Sequence, residues 1–440
     1  FVGAWNVANY PISLGYDAQP NATYIHILLD EHHIPRPDQS GEANQPPAYY
    51  FLAGIAARLG NEFTSWQDTS NTPGFPEASY RGAQIFNVLL VFLTALCVLW
   101  LARVVAPDKP WVWAASVGFF AFLPVVSKTE AMVHPENLSM LTSAVALAAT
   151  AHMLVRRTFS LRLLALLGLA IGLGLATRTT MVFTVLAVGV GIAAALTIPE
   201  IRARVPWRRV AVVFVAVLVL VVPWVAYRAI VHHQGPLNNT SAVLNAALHP
   251  GGHPLSDYLT SHAHFFKVVE PLVFTSPWRS NYKNEAFPQT YTEIWGDWFG
   301  AFAWSENLGP PSQAAQRVLK DQSYIGLVPT ALAILGWLGL VWLALRKRRD
   351  LVLLAAMPLI GVGGYLYRSW VTLTHDGDLF KATYALNTVT VWALCFGLAA
   401  VWLASRSRLA RYGMIVLFAV FAILELRFTM YGVRADHPIF

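Results

Sequence analysis

The sequence predicts an all-α, polytopic membrane protein, and three observations carry that prediction. Of its 440 residues 56% are hydrophobic and only 12% charged, with a mean hydropathy of +0.48, whereas soluble domains carry roughly 25% charged residues. The apolar residues come in blocks of about 16 to 24, near the ~20 residues with which a helix crosses hydrocarbon, so helices rather than barrel strands make the crossings. Lys and Arg sit mainly in short clusters between those blocks, where they act as topology signals. The net charge of +7 is therefore no sign of a nucleic-acid partner, and none is expected. Cys97 and Cys395 both lie inside apolar blocks, where free cysteine behaves as a small hydrophobe.

Taken in order, the chain opens at Phe1 without a Met or a charged leader. It is expected to lack its true start and with it a first membrane helix. Residues 1–84 read as a first extracytoplasmic loop with interfacial helices, one of them "PAYYFLAGIAARL", too short to span comfortably. Residues 85–231 form a transmembrane bundle, 232–323 a large extracytoplasmic loop, and 324–440 the C-terminal transmembrane helices. About ten spans are expected, near 85–103, 111–126, 137–155, 161–176, 180–198, 209–231, 324–345, 351–367, 382–404 and 411–428.

Alternating sides along these spans gathers Arg103 with Lys109, Arg156 with Arg157, Arg202 to Arg209, Arg346 to Arg349, and Arg406 to Arg411 on one side. By the positive-inside rule that side is cytoplasmic. The other side receives the N-terminal segment, "SKTEAMVHPE", "TRTT", 232–323 and "RSWVTLTHDGDLFKATY". Segment 232–323 has no helical periodicity and is too long to be idle. Its aromatic run, with Trp295, Trp298, Phe299, Phe302 and Trp304, reads equally as a headgroup-level belt or as a substrate platform.

No phosphate-binding glycine loop, GxGxxG, HExxH or CxxC is present, which disfavours nucleotide-driven chemistry. Asp17 sits at a turn after Gly15-Tyr16. A carboxylate against apolar walls at a membrane surface tends to have a raised pKa, which suits a general base; equally, Asp17 reads as N-cap of the helix that follows. Asp30, Glu31 and Asp38 read as solvated surface. In "QPPAYY" consecutive prolines set an extended entry to a helix, with Gln45 before them and the rings of Tyr49 and Tyr50 at the interface. His134 and Glu136 begin a membrane helix, where an acid also favours the dipole; with Asp17 and Glu42 they are candidates for a cation site. Arg178, Arg368 and Lys381 stand at helix ends, as phosphate contacts or as snorkelling anchors. Asp376 and Asp378 flank Gly377, in a turn or in a donor-binding loop. The His32-His33 and His232-His233 pairs lack a third ligand at metal-site spacing.

"GYDAQPNATYIHILLDEHHIP", followed by "EANQPPAYYFLAG", resembles the first outer loop of the GT-C membrane glycosyltransferases of the dolichyl-phosphate-mannose protein mannosyltransferase and lipid A aminoarabinose transferase type (glycosyltransferase family 39-like). "MVHPENLSML" is similar to their second loop, and "GDLFKATYALNTV" to a late basic-aromatic element. Ala18 and Asn21 depart from the pattern, which often has a second acid and a histidine there.

The resemblance implies a GT-C-like bundle in the cell envelope, in a bacterial plasma membrane with an extracytoplasmic site. It implies transfer of a sugar, with inversion, from a polyprenyl-phosphate donor to a protein, lipid or glycan acceptor. Asp17 would be the base, and Glu42, Gln45, Tyr49, His134, Glu136, Arg178, Arg368, Asp378 and Lys381 would bind substrate. The cofactor stays open; a divalent cation on Asp17, Glu136 and His134 is compatible. A lipid or solute transporter or flippase is the alternative, but such proteins place ionisable groups at mid-membrane, where these spans hold almost none. A non-catalytic GT-C-like subunit is the third reading.

Overall fold

The computed structural model describes residues 2–9, 17–63, 80–231, 286–296, 313–371, 381–434 and 437–438. Helices α1 (Val2–Asn9), α2 (Ala18–His26), which continues as a π-turn over Ile27–Glu31, and α3 (Ala48–Phe63) precede the bundle. The bundle begins with α4 (Arg81–Val105), α5 (Pro110–Ala121), the short α6 (Pro124–Thr129), α7 (Glu136–Arg156), α8 (Leu161–Leu175), α9 (Met181–Leu196), α10 (Pro199–Arg202) and α11 (Trp207–Val231). After α12 (Ala286–Trp295) come α13 (Gln313–Ile325), α14 (Leu327–Arg346), α15 (Val352–Val371), α16 (Val389–Ala404) and α17 (Arg408–Gly432). Short 3₁₀ turns, Arg349–Leu351 and Ala382–Thr388, lead into α15 and α16. A two-residue antiparallel ladder, Val433–Arg434 with His437–Pro438, ends the described chain.

All ten apolar blocks are helical. Seven are long and apolar enough to cross a membrane, and α5, α8 and α9 are shorter apolar helices. The second block differs from its expected 111–126 span: α5 stops at Ala121, and Pro124 starts α6 after an extended Leu123. The cause is local, because proline cannot continue a helix but is well suited to start one. Helices α7 and α16 occupy the middle, with 78% and 72% of their apolar windows buried, whereas α11 and α17, at 6% and 17%, present their sides to lipid.

Small residues set the closest approaches. Gly168 and Gly172 of α8, spaced as GxxxG, bring it against α11, where a Cβ on Gly168 would stand 2.8 Å from the Val213 Cα. Such pairs let backbones meet in the absence of a hydrophobic drive between helices. Gly336 of α14 abuts the Cys395 carbonyl of α16, leaving no space for a methyl.

Segment 232–323 contains more regular structure than its composition suggests, since α12 and part of α13 fall within it. Trp295 is buried, not a surface aromatic: it packs edge-on to Phe119 and Phe421, and its Nε1 donates to Thr330 Oγ1 at 3.0 Å. Trp298, Phe299, Phe302, Trp304 and His232-His233 lie outside the described residues. Glu425 of α17 is fully buried, accepting from Ser127 Oγ and, at 3.3 Å, from Gln322 Nε2, with buried Lys128 close by. The break before α6 turns Ser127 and Lys128 inward and supplies these partners.

Three helices measure the depth of the bundle. The N-terminus of α7 follows His134 and its C-terminus precedes Arg157; α9 starts just after Arg178 and ends beside Thr197; α15 starts just after Asp350 and carries Arg368 in its last turn. At 1.5 Å per residue, α7 separates its two ends by about 30 Å, one hydrocarbon thickness.

Gly336→Val is expected to destabilise the protein by about 1–3 kcal/mol through overpacking. Gly339→Ala, one turn along the same helix with open space at its Cβ position, leaves thermal melting in detergent nearly unchanged. Equal melting of the two variants would contradict this contact.

Candidate active site

Asp17 sits immediately before α2 in the left-handed conformation, φ 55°, which aspartate tolerates better than most residues. Its carbonyl accepts the first helical hydrogen bond, from Asn21 N at 2.9 Å, yet its side chain caps nothing. The carboxylate instead receives the Lys381 ammonium, with Nζ 3.1 and 3.0 Å from Oδ1 and Oδ2. A segment before the first bundle helix is thus joined to the entry of α16. The Ala382 amide donates to buried Glu293 of α12 at 2.6 Å, which holds the backbone next to Lys381 in place.

His134 lies beside Asp17, Nε2 to Oδ2 4.0 Å. Its Nδ1 accepts from the Glu136 amide at 3.3 Å, so a neutral ring carries its proton on Nε2, the nitrogen turned toward Asp17. Burial, reinforced by the Arg178 charge, pushes its pKa down to about 3. Arg178, fully enclosed between α8 and α9, donates through Nε and Nη2 to Glu136 Oε1 at 2.8 and 2.7 Å and reaches Glu42 Oε2 at 3.6 Å. Arg368 donates to Thr179 Oγ1 at 3.3 Å.

A residue not singled out in the sequence organises these cations. The Tyr384 ring, in the 3₁₀ turn, lies 5.3, 5.0 and 5.9 Å from the charge centres of Arg178, Arg368 and Lys381, distances at which a ring face attracts a cation. Its only sequence signal is its place in "GDLFKATYALNTV". Glu293 was also missed, being read as part of an aromatic run.

Other expectations change. Burial opposes ionisation of Asp17, but the surrounding charges, Lys381 foremost among them, together hold the carboxyl below the usual range, the reverse of the expected rise. It is Glu42 that is raised, to about 7, by burial and then by the Asp17 charge. Three cations therefore face three acids, Asp17, Glu136 and Glu42, of which Glu42 is shifted toward its neutral form. Tyr49 and Tyr50 are fully buried, not interfacial: Tyr50 stacks on Tyr24 with centroids 3.8 Å apart and donates to Asn21 Oδ1 at 2.9 Å, and Tyr49 donates to Asn87 Oδ1 at 3.2 Å. The Gln45 carbonyl accepts from Tyr24 Oη at 3.2 Å, while its buried side-chain Oε1 has no hydrogen bond among the described residues. Ala18 and Asn21, the two departures, are buried in this same corner.

The candidate metal set does not assemble. Arg178 takes up Glu136, Lys381 takes up Asp17, and no group of three His, Cys, Asp or Glu side chains among the described residues is arranged to hold an ion. His375, Asp376 and Asp378 lie outside the described residues. Asp30, Glu31 and Asp38 are solvated as expected, with side chains 49%, 46% and 74% exposed.

An apolar cavity of about 490 Å³ adjoins the cluster. The turn that follows Lys381 forms one wall through Ala382, Ala385 and Leu386, and Phe119, Trp295 and Tyr365 form others.

Residues 40–233 match the family described as dolichyl-phosphate-mannose-protein mannosyltransferase. A search of curated proteins finds no match. Among solved structures, the chain is similar to the crystal structure of ArnT from Cupriavidus metallidurans in the apo state, at 13% identity and a TM-score of 0.50, covering 97% of this chain and 73% of that one. It is also similar to ArnT from the same organism bound to undecaprenyl phosphate, at 14% identity and a TM-score of 0.48, covering 97% and 74%. The fold is ArnT-like, and the resemblance to the GT-C membrane glycosyltransferases is borne out.

Glu42 gives the cluster a pH signature. Its folded pKa of about 7 exceeds the ordinary 4.5, so its contribution to stability is full below 4.5 and is lost as pH rises through 7. Between about pH 5 and pH 8 the melting temperature of the natural protein is expected to fall relative to that of Glu42→Gln, which cannot titrate. A constant gap between the two would remove Glu42 as the titrating group.

Proposed function

We propose that this protein is an inverting glycosyltransferase that moves a sugar from a polyprenyl-phosphate donor to an acceptor at the membrane face carrying Asp17. The observation that carries the reading is the pairing of Asp17 with Lys381 inside a cluster of three cations gathered on Tyr384, beside an apolar cavity. A lipid phosphate needs both environments, cations for its head and an apolar wall for its chain. The face is extracytoplasmic on the positive-inside argument, because the basic clusters end the same helices at the far side.

In the proposed step the acceptor oxygen or nitrogen attacks the anomeric carbon from the side opposite the phosphate. The bond between that carbon and the phosphate oxygen breaks, its electron pair leaves with the lipid phosphate, and the acceptor proton passes to the Asp17 carboxylate. Lys381, Arg178 and Arg368 stabilise the phosphate charge as it develops. Arrival of the phosphate gives Lys381 a second anion to serve. That loosens its hold on Asp17 and makes the carboxylate more basic when the acceptor is in place. His134, neutral and with its proton on Nε2, is positioned to donate to Asp17 or to a donor oxygen. Glu136 and Glu42 orient Arg178. No step is routed through a metal ion, since the carboxylates are already matched to fixed cations.

Asp17→Asn is expected to lower transfer from a polyprenyl-phosphate sugar by about 10²–10⁴-fold while binding of the intact donor is retained. Lys381→Met is expected to weaken donor binding. Measured on the purified protein in detergent, undiminished turnover by Asp17→Asn would remove Asp17 from the mechanism.

A further inference from the structure

The far end of the bundle holds a second concave site with its own chemistry. A cleft of about 630 Å³ lies where α7, α9, α10 and α14 end and α15 begins, lined by Arg157, Arg346, Lys347, Arg348 and Arg349 with Asp350 as its single acid. We propose that this cleft binds the phosphate headgroup of an anionic phospholipid in the leaflet opposite Asp17.

Part of the site is built in advance. Arg348 is held by Asp350 through contacts of 2.7, 2.9 and 3.1 Å, and Arg349 donates to Thr197 Oγ1 at 3.0 Å. The side chains of Arg157 and Arg346 make no hydrogen bond or ion pair among the described residues, and both are exposed on the rim of the cleft. Cations at helix C-termini offset the dipole, and basic residues there orient the chain in the membrane. Neither role requires Arg157, at the end of α7, to meet around a cavity the consecutive cations Arg346 to Arg349, which lie far along the chain between α14 and α15.

Position selects the occupant. The cleft stands about 30 Å from the Asp17 cluster along α7, the distance to the opposite headgroup layer. Other pairs at that end mark the same depth: Arg103 lies 4.9 Å from the Trp113 ring, Lys347 5.7 Å from Trp342, and Arg406 4.5 Å from Trp402. Such aromatic-basic pairs sit where hydrocarbon meets headgroups. Leu345, 72% exposed, shares the cleft lining with the cations, and Leu338, 51% exposed, continues on α14. A ligand with phosphate at the cleft and acyl chains on α14 satisfies both, and basic pockets between membrane helices on the cytoplasmic side recognise such headgroups. The inference does not depend on the role proposed for Asp17.

The test titrates short-chain phosphatidylglycerol into the full chain in neutral detergent and follows the rise in melting temperature. The half-saturating concentration is expected to increase about fivefold on Arg157→Gln, about fivefold on Arg346→Gln, and by about the product of the two in the double variant, at roughly 1 kcal/mol per cation. Arg406→Gln, at the same end but outside the cleft, is expected to titrate like the natural protein, and phosphatidylcholine and sodium phosphate are expected to be without effect. Equal weakening by Arg406→Gln would reduce the effect to general surface charge and overturn the site. A matching response to sodium phosphate would make it a free-anion site, and absence of any response to phosphatidylglycerol would also overturn it.

Discussion

The ion pair between Asp17 and Lys381 is the constraint on which this end of the protein depends. It links positions 364 residues apart and closes the N-terminal segment onto the entry of α16. Lys381 is nearly inaccessible to solvent, its side chain 4% exposed, so an uncompensated ammonium there would be costly. Asp17 supplies the compensation, and for that its side chain gives up the N-cap role that its position offers. The left-handed backbone at Asp17 turns α2 away while the carboxylate stays over the bundle.

Around that pair each charged group is set by its neighbours. Arg178 is shared between Glu136 and Glu42, and the closer Glu136 takes most of it. Glu42 is consequently left with a burden of burial and of Asp17's charge that Arg178 only partly relieves. Tyr384 lets three cations approach one another by placing a ring face between them, which softens their mutual repulsion. The outcome is a cluster of matched charges in a protected setting, next to an apolar cavity.

The tyrosine corner does the positioning from the other side. Tyr24, Tyr49 and Tyr50 bury their rings together and send their hydroxyls to the Gln45 carbonyl, Asn87 and Asn21. Asn87 in turn donates to the Met132 carbonyl at 2.5 Å, in the loop that leads to His134. Buried hydrogen bonds therefore run from Tyr49, at the Pro-Pro entry of α3, through Asn87 to the loop that carries His134, and such buried links are electrostatically strengthened by their low-dielectric surroundings. The departures at Ala18 and Asn21 acquire a physical meaning here: one is small enough to be enclosed, and the other accepts from Tyr50.

By itself the sequence determined the membrane character, the ten apolar helices, the alternation of basic clusters and the loop motifs that contain Asp17, His134, Glu136, Arg178, Arg368 and Lys381. These are legible because hydropathy over a helix length and charge between helices act locally, and a motif keeps its spacing along the chain. Tertiary structure alone decided that Lys381 meets Asp17, that Glu136 goes to Arg178, that Tyr384 underlies three cations and that Trp295, Tyr49 and Tyr50 turn inward. Each depends on which helix end faces which, and no periodicity records that. The direction of the Asp17 pKa followed the same division: burial was foreseeable from the apolar surroundings, but Lys381, foremost of the charges that together outweigh it, arrives from the other end of the chain.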